Sequence, residues 1–209
     1  MNEPDAAAGR PEPGPPIGAV LAGGRGSRIG GAKALVELAG LPLISYPLSA
    51  VEEAGLEPLV VAKPDSELPP LSCRLVREPA QPRHPLCGIL AALRYAGRRR
   101  LVAIGCDMPF AGADLLAWLG STPERLVLPT AGGGPQPFPG RYDSSLVPAL
   151  EAVAAGRQAL RPVLASLRPR LISAAELARF GDPSRICFNV NTAADLGRAE
   201  ELLAAPTQR

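Results

Sequence analysis

Apolar residues along this chain fall into short runs separated by longer, one-sided stretches. The runs cover residues 17–22, 59–62, 74–76, 101–105, 125–128, 170–172 and 186–188, and their length and branched side chains predict β-strands. Helical spacing predicts helices over 43–54, 88–95, 144–155, 158–167 and 193–204, and another that begins near Ala111 or Ala113. Gly55 and Gly97 stand where the first two should stop. The run 101–105 is apolar without alternation, as in a strand covered on both faces. Strand and helix in turn predict a single doubly wound, Rossmann-like α/β domain over 17–209, with a mostly parallel sheet and helices on both faces. Residues 1–16 hold five prolines and predict a disordered tail. Residues 130–139 are rich in Gly and Pro and predict a long loop beside the functional site.

In such a sheet, ligands sit beyond the carboxyl ends of the strands. The first strand runs into Leu21-Ala-Gly-Gly-Arg-Gly-Ser-Arg-Ile-Gly-Gly-Ala-Lys33. Glycines allow tight turns that expose consecutive N–H groups. Arg25, Arg28 and Lys33 add positive charge, so the loop is suited to a triphosphate. A P-loop would need Lys directly after Gly and a hydroxyl after Lys; Ala32 and Ala34 stand there instead. A dinucleotide fingerprint would need a third glycine where Ile29 stands, and this argues against an NAD-dependent oxidoreductase. Asp107 follows the 101–105 strand closely. If that strand neighbours the first, a carboxylate there would face the phosphates and could hold Mg²⁺; the alternative is a cap for the helix that follows.

Composition narrows the partners. A net charge of +2 gives no electrostatic basis for binding nucleic acid or a membrane surface. No apolar segment approaches the roughly 18 residues of a membrane helix, and no signal core opens the chain, so a cytoplasmic protein is expected. Cys73, Cys87, Cys106 and Cys187 are spaced for neither zinc nor a redox motif and read as small buried hydrophobes. His84, between Pro82 and Pro85, reads as a loop histidine.

Three more segments follow the glycine loop in order: Pro85-Leu-Cys-Gly-Ile89, Ile104-Gly-Cys-Asp-Met-Pro109 and Phe188-Asn-Val-Asn-Thr-Ala-Ala-Asp-Leu196. Together the four resemble the nucleotidyltransferases of molybdenum cofactor synthesis, most closely the guanylyltransferase branch. The likeness spans residues 17 to about 204. It implies a nucleotide-diphospho-sugar transferase-like fold and Mg²⁺-dependent transfer of GMP from GTP to the terminal phosphate of molybdopterin, with loss of pyrophosphate. Other proteins of cofactor biosynthesis, or acceptor enzymes, are implied as partners. By the same resemblance, Leu21, Ala22 and Gly23 present backbone groups to guanine. Gly23 and Gly24, with Arg28 and Lys33, hold the outer phosphates, and Asp107 holds the metal. Glu78 stands where the family has an aspartate near the ribose and base; it is read equally well as a solvated loop charge. Asn189 and Asn191 would meet the pterin, a phosphate or a metal-bound water, with Thr192 and Asp195 capping the last helix. Gln136 and Pro137 resemble a family segment near the acceptor pocket, while Arg157 and Arg161 read either as contacts for the pterin phosphate or, more commonly for such residues, as solvated helix arginines. Two departures leave alternatives open. Ala62 replaces a family Asn, which admits CTP or another phosphate acceptor. Ala32 replaces the acidic residue before the lysine, which admits a non-catalytic nucleotide-binding protein.

Overall fold

The computed structural model describes residues 14–24, 29, 31–131, 134–156 and 160–205. Its elements in chain order begin with β1 (Ile17–Leu21), β2 (Glu37–Leu38), β3 (Leu41–Pro42), α1 (Ser45–Glu53), β4 (Glu57–Ala62), β5 (Arg74–Arg77), α2 (Pro85–Ala96) and β6 (Leu101–Gly105). They continue with α3 (Ala113–Ser121), β7 (Leu126–Ala131), β8 (Gly134–Pro135), β9 (Gly140–Tyr142), α4 (Val147–Gly156) and α5 (Leu160–Ser166). The last are β10 (Arg170–Ile172), α6 (Ala174–Leu177), α7 (Pro183–Ile186) and α8 (Ala193–Ala204).

The sheet runs β10-β7-β9-β6-β1-β4-β5, with β8 folded back on β7. β1 pairs in parallel with both β4 and β6, so the glycine loop and Asp107 leave the sheet side by side. β9 is antiparallel to its neighbours β6 and β7. Side chains alternate between two covered faces, which is why the central strands are apolar throughout. Val20, Val60, Val102 and Ile104 pack with Val51 of α1 and Leu115 and Leu119 of α3. Ile17, Ala19, Leu59 and Leu101 pack with Leu86 and Ile89 of α2, Leu150 of α4 and Leu164 of α5. A third, smaller cluster joins Leu38, Leu43 and Val190 to Ala199 of α8. The predicted doubly wound sheet is thus observed, and Gly55 and Gly97 take the positive φ (70° and 61°) that stops α1 and α2.

Three features differ from the expectation. Residues 186–188 do not form a strand; Ile186 ends α7. Asp182 accepts from the Ser184 N–H and Pro183 opens the first turn, so helix-start chemistry outweighs a three-residue apolar run. The 130–139 loop is part hairpin, because β7 continues to Ala131 and turns back through β8. β9 and the small β2–β3 hairpin were unpredicted. Of the predicted tail, residues 1–13 lie outside the described residues, whereas the Pro16 carbonyl accepts from the Glu57 N–H (2.9 Å) where β1 and β4 begin. Among the described residues, no helix is long and apolar enough to cross a membrane.

Candidate active site

The carboxyl ends of β5, β4, β1 and β6 open onto a cavity of about 440 Å³, whose wall includes Leu21, Gly23, Glu78, His84, Asp107 and Phe138. A second hollow of about 260 Å³ lies beside it, between Gly24, Lys33, Ser66 and Arg83. The two share Gly23, Gly24, Lys33 and Arg83, so a long ligand can occupy both.

At the centre, the Lys33 ammonium donates to Asp107 Oδ2 (2.6 Å) and to Asn191 Oδ1 (2.7 Å). The Lys33 and Asp107 side chains are only 12% and 19% exposed, which limits screening of this pair. Backbone bonds fix the frame around them. The Cys106 N–H donates to the Leu21 carbonyl (3.1 Å), tying the Asp107 turn to the glycine loop. The Val190 N–H donates to the Asp107 carbonyl (2.9 Å), tying it to the Asn189–Asn191 segment. Asp107 therefore does not cap α3; Gly112 holds that position. Asn189 lines the cavity and donates to the Cys187 carbonyl, so both asparagines reach the site. Thr192 and Asp195 form the expected capping box of α8. Cys106, beside Asp107, is buried. Burial and the neighbouring carboxylate push its thiol up to about 12 against the opposing charge of Lys33, so it is no nucleophile.

The β4–β5 side forms a second polar cluster. Glu78 is 6% exposed and pairs with the equally buried Lys63 at 3.2 Å, which rules out the solvated loop charge. Burial raises the Glu78 pKa, while Lys63 and Arg83 oppose that rise. A Cβ at Gly23 would overlap Glu78 Oε1, so any larger residue there must push the carboxylate aside. Ala62 is buried in the core and does not line the cavity; Lys63 is the residue that reaches it. The Ala22 N–H is committed to the Val61 carbonyl (2.8 Å), and the Leu21 carbonyl already accepts from Cys106. Gly23 is the member of that trio that stands on the wall of both hollows. His84 caps α2 by accepting from the Leu86 N–H (3.2 Å) and also lines the cavity.

Arg28, Arg157 and the side chain of Arg161 lie outside the described residues. Pro137 contributes its carbonyl, which accepts from the buried Tyr142 hydroxyl (2.7 Å) and so fixes the turn that carries Phe138. Lys63, Arg83, His84 and Phe138 were not anticipated as wall residues. Phe138 was the nearest to being found, since the 130–139 segment was expected at the site.

A glycine loop, a lysine–carboxylate pair at a strand end and a buried acidic wall define a nucleotide-handling α/β enzyme of the nucleotidyltransferase class. Residues 18–171 match the model of the MobA-like NTP transferase domain, and the chain belongs to that family. It is 33% identical to the molybdenum cofactor guanylyltransferase of Cereibacter sphaeroides, over 90% of this chain and 96% of that one. It is 29% identical to a probable molybdenum cofactor guanylyltransferase of Pelotomaculum thermopropionicum, over 87% and 90%. The solved molybdopterin-guanine dinucleotide biosynthesis protein A of Archaeoglobus fulgidus superposes with a TM-score of 0.74 at 25% identity, covering 90% of this chain and 98% of that one.

Proposed function

We propose that this enzyme transfers GMP from GTP to the terminal phosphate of molybdopterin and releases pyrophosphate. The observation that carries the reading is the Asp107–Lys33–Asn191 cluster beside the glycine loop, in a chain about 30% identical to molybdenum cofactor guanylyltransferases. The strand order supports a division of labour along the sheet edge. Glu78 and Lys63 follow β5 and β4, Gly23 follows β1, Asp107 follows β6, and Phe138 precedes β9 on the far side. The base then sits on the Glu78 side, the triphosphate crosses Gly23 and Gly24, and the acceptor approaches from the Phe138 and Asn189 side.

The donor set suits Mg²⁺. Among the described residues no three acidic, His or Cys side chains gather to hold a metal by themselves. Mg²⁺ commonly takes one or two carboxylates, with the rest from phosphates and water. Asp107 is such a carboxylate, and Asn191 adds an amide oxygen beside it. Bound there, the ion would neutralise charge on the α-phosphate. Lys33 pairs with the outer phosphates and stabilises the departing pyrophosphate. The glycine loop orients the triphosphate through its N–H groups. The acceptor phosphate is anionic near neutral pH, so no general base is required.

Four unpaired cysteines fit a reducing cytoplasmic setting. The test is nucleotide binding and pyrophosphate release with GTP, CTP, ATP and UTP, with molybdopterin as acceptor. GTP-selective, Mg²⁺-dependent turnover supports the reading. Preference for CTP moves the enzyme to cytidylyl transfer, and binding without turnover makes it a nucleotide-binding protein.

A further inference from the structure

Lys63 directly follows β4 and is 2% exposed, yet all three of its N–H donors have an acceptor in reach. It donates to the carbonyls of Pro79 (2.6 Å) and Pro82 (3.1 Å) and lies 3.2 Å from Glu78 Oε2. Its own carbonyl accepts from Arg77 Nη1 (2.6 Å), and Arg83 pairs with Asp65, so the segments after β4 and β5 are tied to each other. The two oxygens of Glu78 do different things. Oε2 is fully buried against Lys63 as an ion pair without an aligned hydrogen bond. Oε1 lies against the Gly23 backbone on the cavity wall.

We propose that Lys63 is the positioning residue of the base subsite: it holds Glu78 as a carboxylate turned to the cavity, and so selects a base edge with two adjacent N–H donors. This rests on the guanine reading above. Guanine offers N1–H beside the 2-amino group, a pair that a carboxylate accepts and a neutral acid does not. The hydrogen-bonding edges of cytosine, adenine and uracil each set a donor beside an acceptor. The charged groups facing Glu78 are Lys63 after β4 and Arg83 from the segment before α2; Gly23 after β1 and Gly88 of α2 bring none. Without the Lys63 charge, burial favours the protonated acid, whose O–H opposes the guanine edge.

The experiment measures the Kd of GTP, ITP, CTP and inorganic tripolyphosphate, each with Mg²⁺, from pH 6 to 8.5, on wild type, Lys63→Met and Glu78→Gln. ITP lacks the 2-amino group. Wild type should prefer GTP over ITP by about tenfold, as a charge-assisted hydrogen bond provides. Lys63→Met should lose that preference near pH 7, recover it as pH rises and Glu78 ionises, and leave tripolyphosphate binding unchanged. Glu78→Gln should lose it at every pH, which tests the subsite even if Lys63→Met does not fold. Lys63→Met that keeps the wild-type GTP-to-ITP ratio, or that loses tripolyphosphate in proportion to GTP, overturns the proposal, as does a selective Glu78→Gln. Wild type that binds CTP as tightly as GTP overturns the guanine reading itself, a result visible before any variant is compared.

Discussion

Replacing Asp107 by Asn exchanges one oxygen for an NH₂ group and keeps the shape of the side chain. The frame should survive, because the bonds from Cys106 to Leu21 and from Val190 to Asp107 use the backbone. The Lys33 contact becomes an ordinary hydrogen bond instead of a charge-assisted one, a loss of about 1 kcal/mol. In a domain of this size that corresponds to a fall of roughly 2–4 °C in Tm. Transfer should suffer far more, since the negative charge at the reaction centre is gone and Lys33 loses its counter-charge. Removing one preorganised electrostatic group costs about 2.7–4 kcal/mol, or 10²–10³ in kcat. With the metal-holding role proposed for Asp107, the loss should reach the top of that range. The assay is pyrophosphate release at saturating GTP, acceptor and Mg²⁺, beside a thermal melt. Asp107→Asn within about tenfold of wild-type kcat would refute the reasoning. So would a collapse of Tm, which would make Asp107 a structural residue.

Lys33→Met should weaken GTP binding more than GMP binding by calorimetry, because the role proposed for its charge is at the outer phosphates; equal losses would remove it from that role. Gly23→Ala should raise the KM for GTP, since the new methyl overlaps Glu78 Oε1 and must displace the acid from the wall; an unchanged KM would separate Glu78 from nucleotide binding. The Cys106 thiol, pushed up to about 12 in the fold, stays protonated where the unfolded thiol ionises from about pH 8.5. Its contribution to stability is full below that pH and is lost as pH rises toward 12, at up to about 1.4 kcal/mol per pH unit. Denaturant melts at pH 8.5 and 10.5 should therefore show a flatter decline for Cys106→Ala than for wild type, and matching declines would contradict the assignment.

The central sheet was legible because both faces of its strands are covered, so 17–22, 59–62 and 101–105 carry uninterrupted apolar runs. β9 was hidden because its middle residue is Arg141, buried to 2% exposure, and an arginine between Gly and Tyr does not read as a strand interior. Lys33, Asp107 and Asn191 were each singled out from local motifs. Their convergence on one ammonium was not readable, since Lys33 and Asn191 are 158 positions apart. Lys63 was missed altogether. A lone lysine before Pro64 and Asp65 looks solvated, and its partner Glu78 comes from another strand. Ala62 drew attention in its place, although its side chain faces the core.

The bonds that join Val190 to Asp107 and Lys33 to Asn191 also draw on the last part of the chain. Every strand of the sheet lies within residues 17–172, so the sequence that builds it ends well before Val190 and Asn191. The third member of the Lys33 cluster, Asn191, comes some 20 residues after the last strand. A chain cut short before Val190 keeps every strand of the sheet yet lacks both of these tethers. The segment that carries Val190 and Asn191 therefore completes the centre without adding a strand to the sheet.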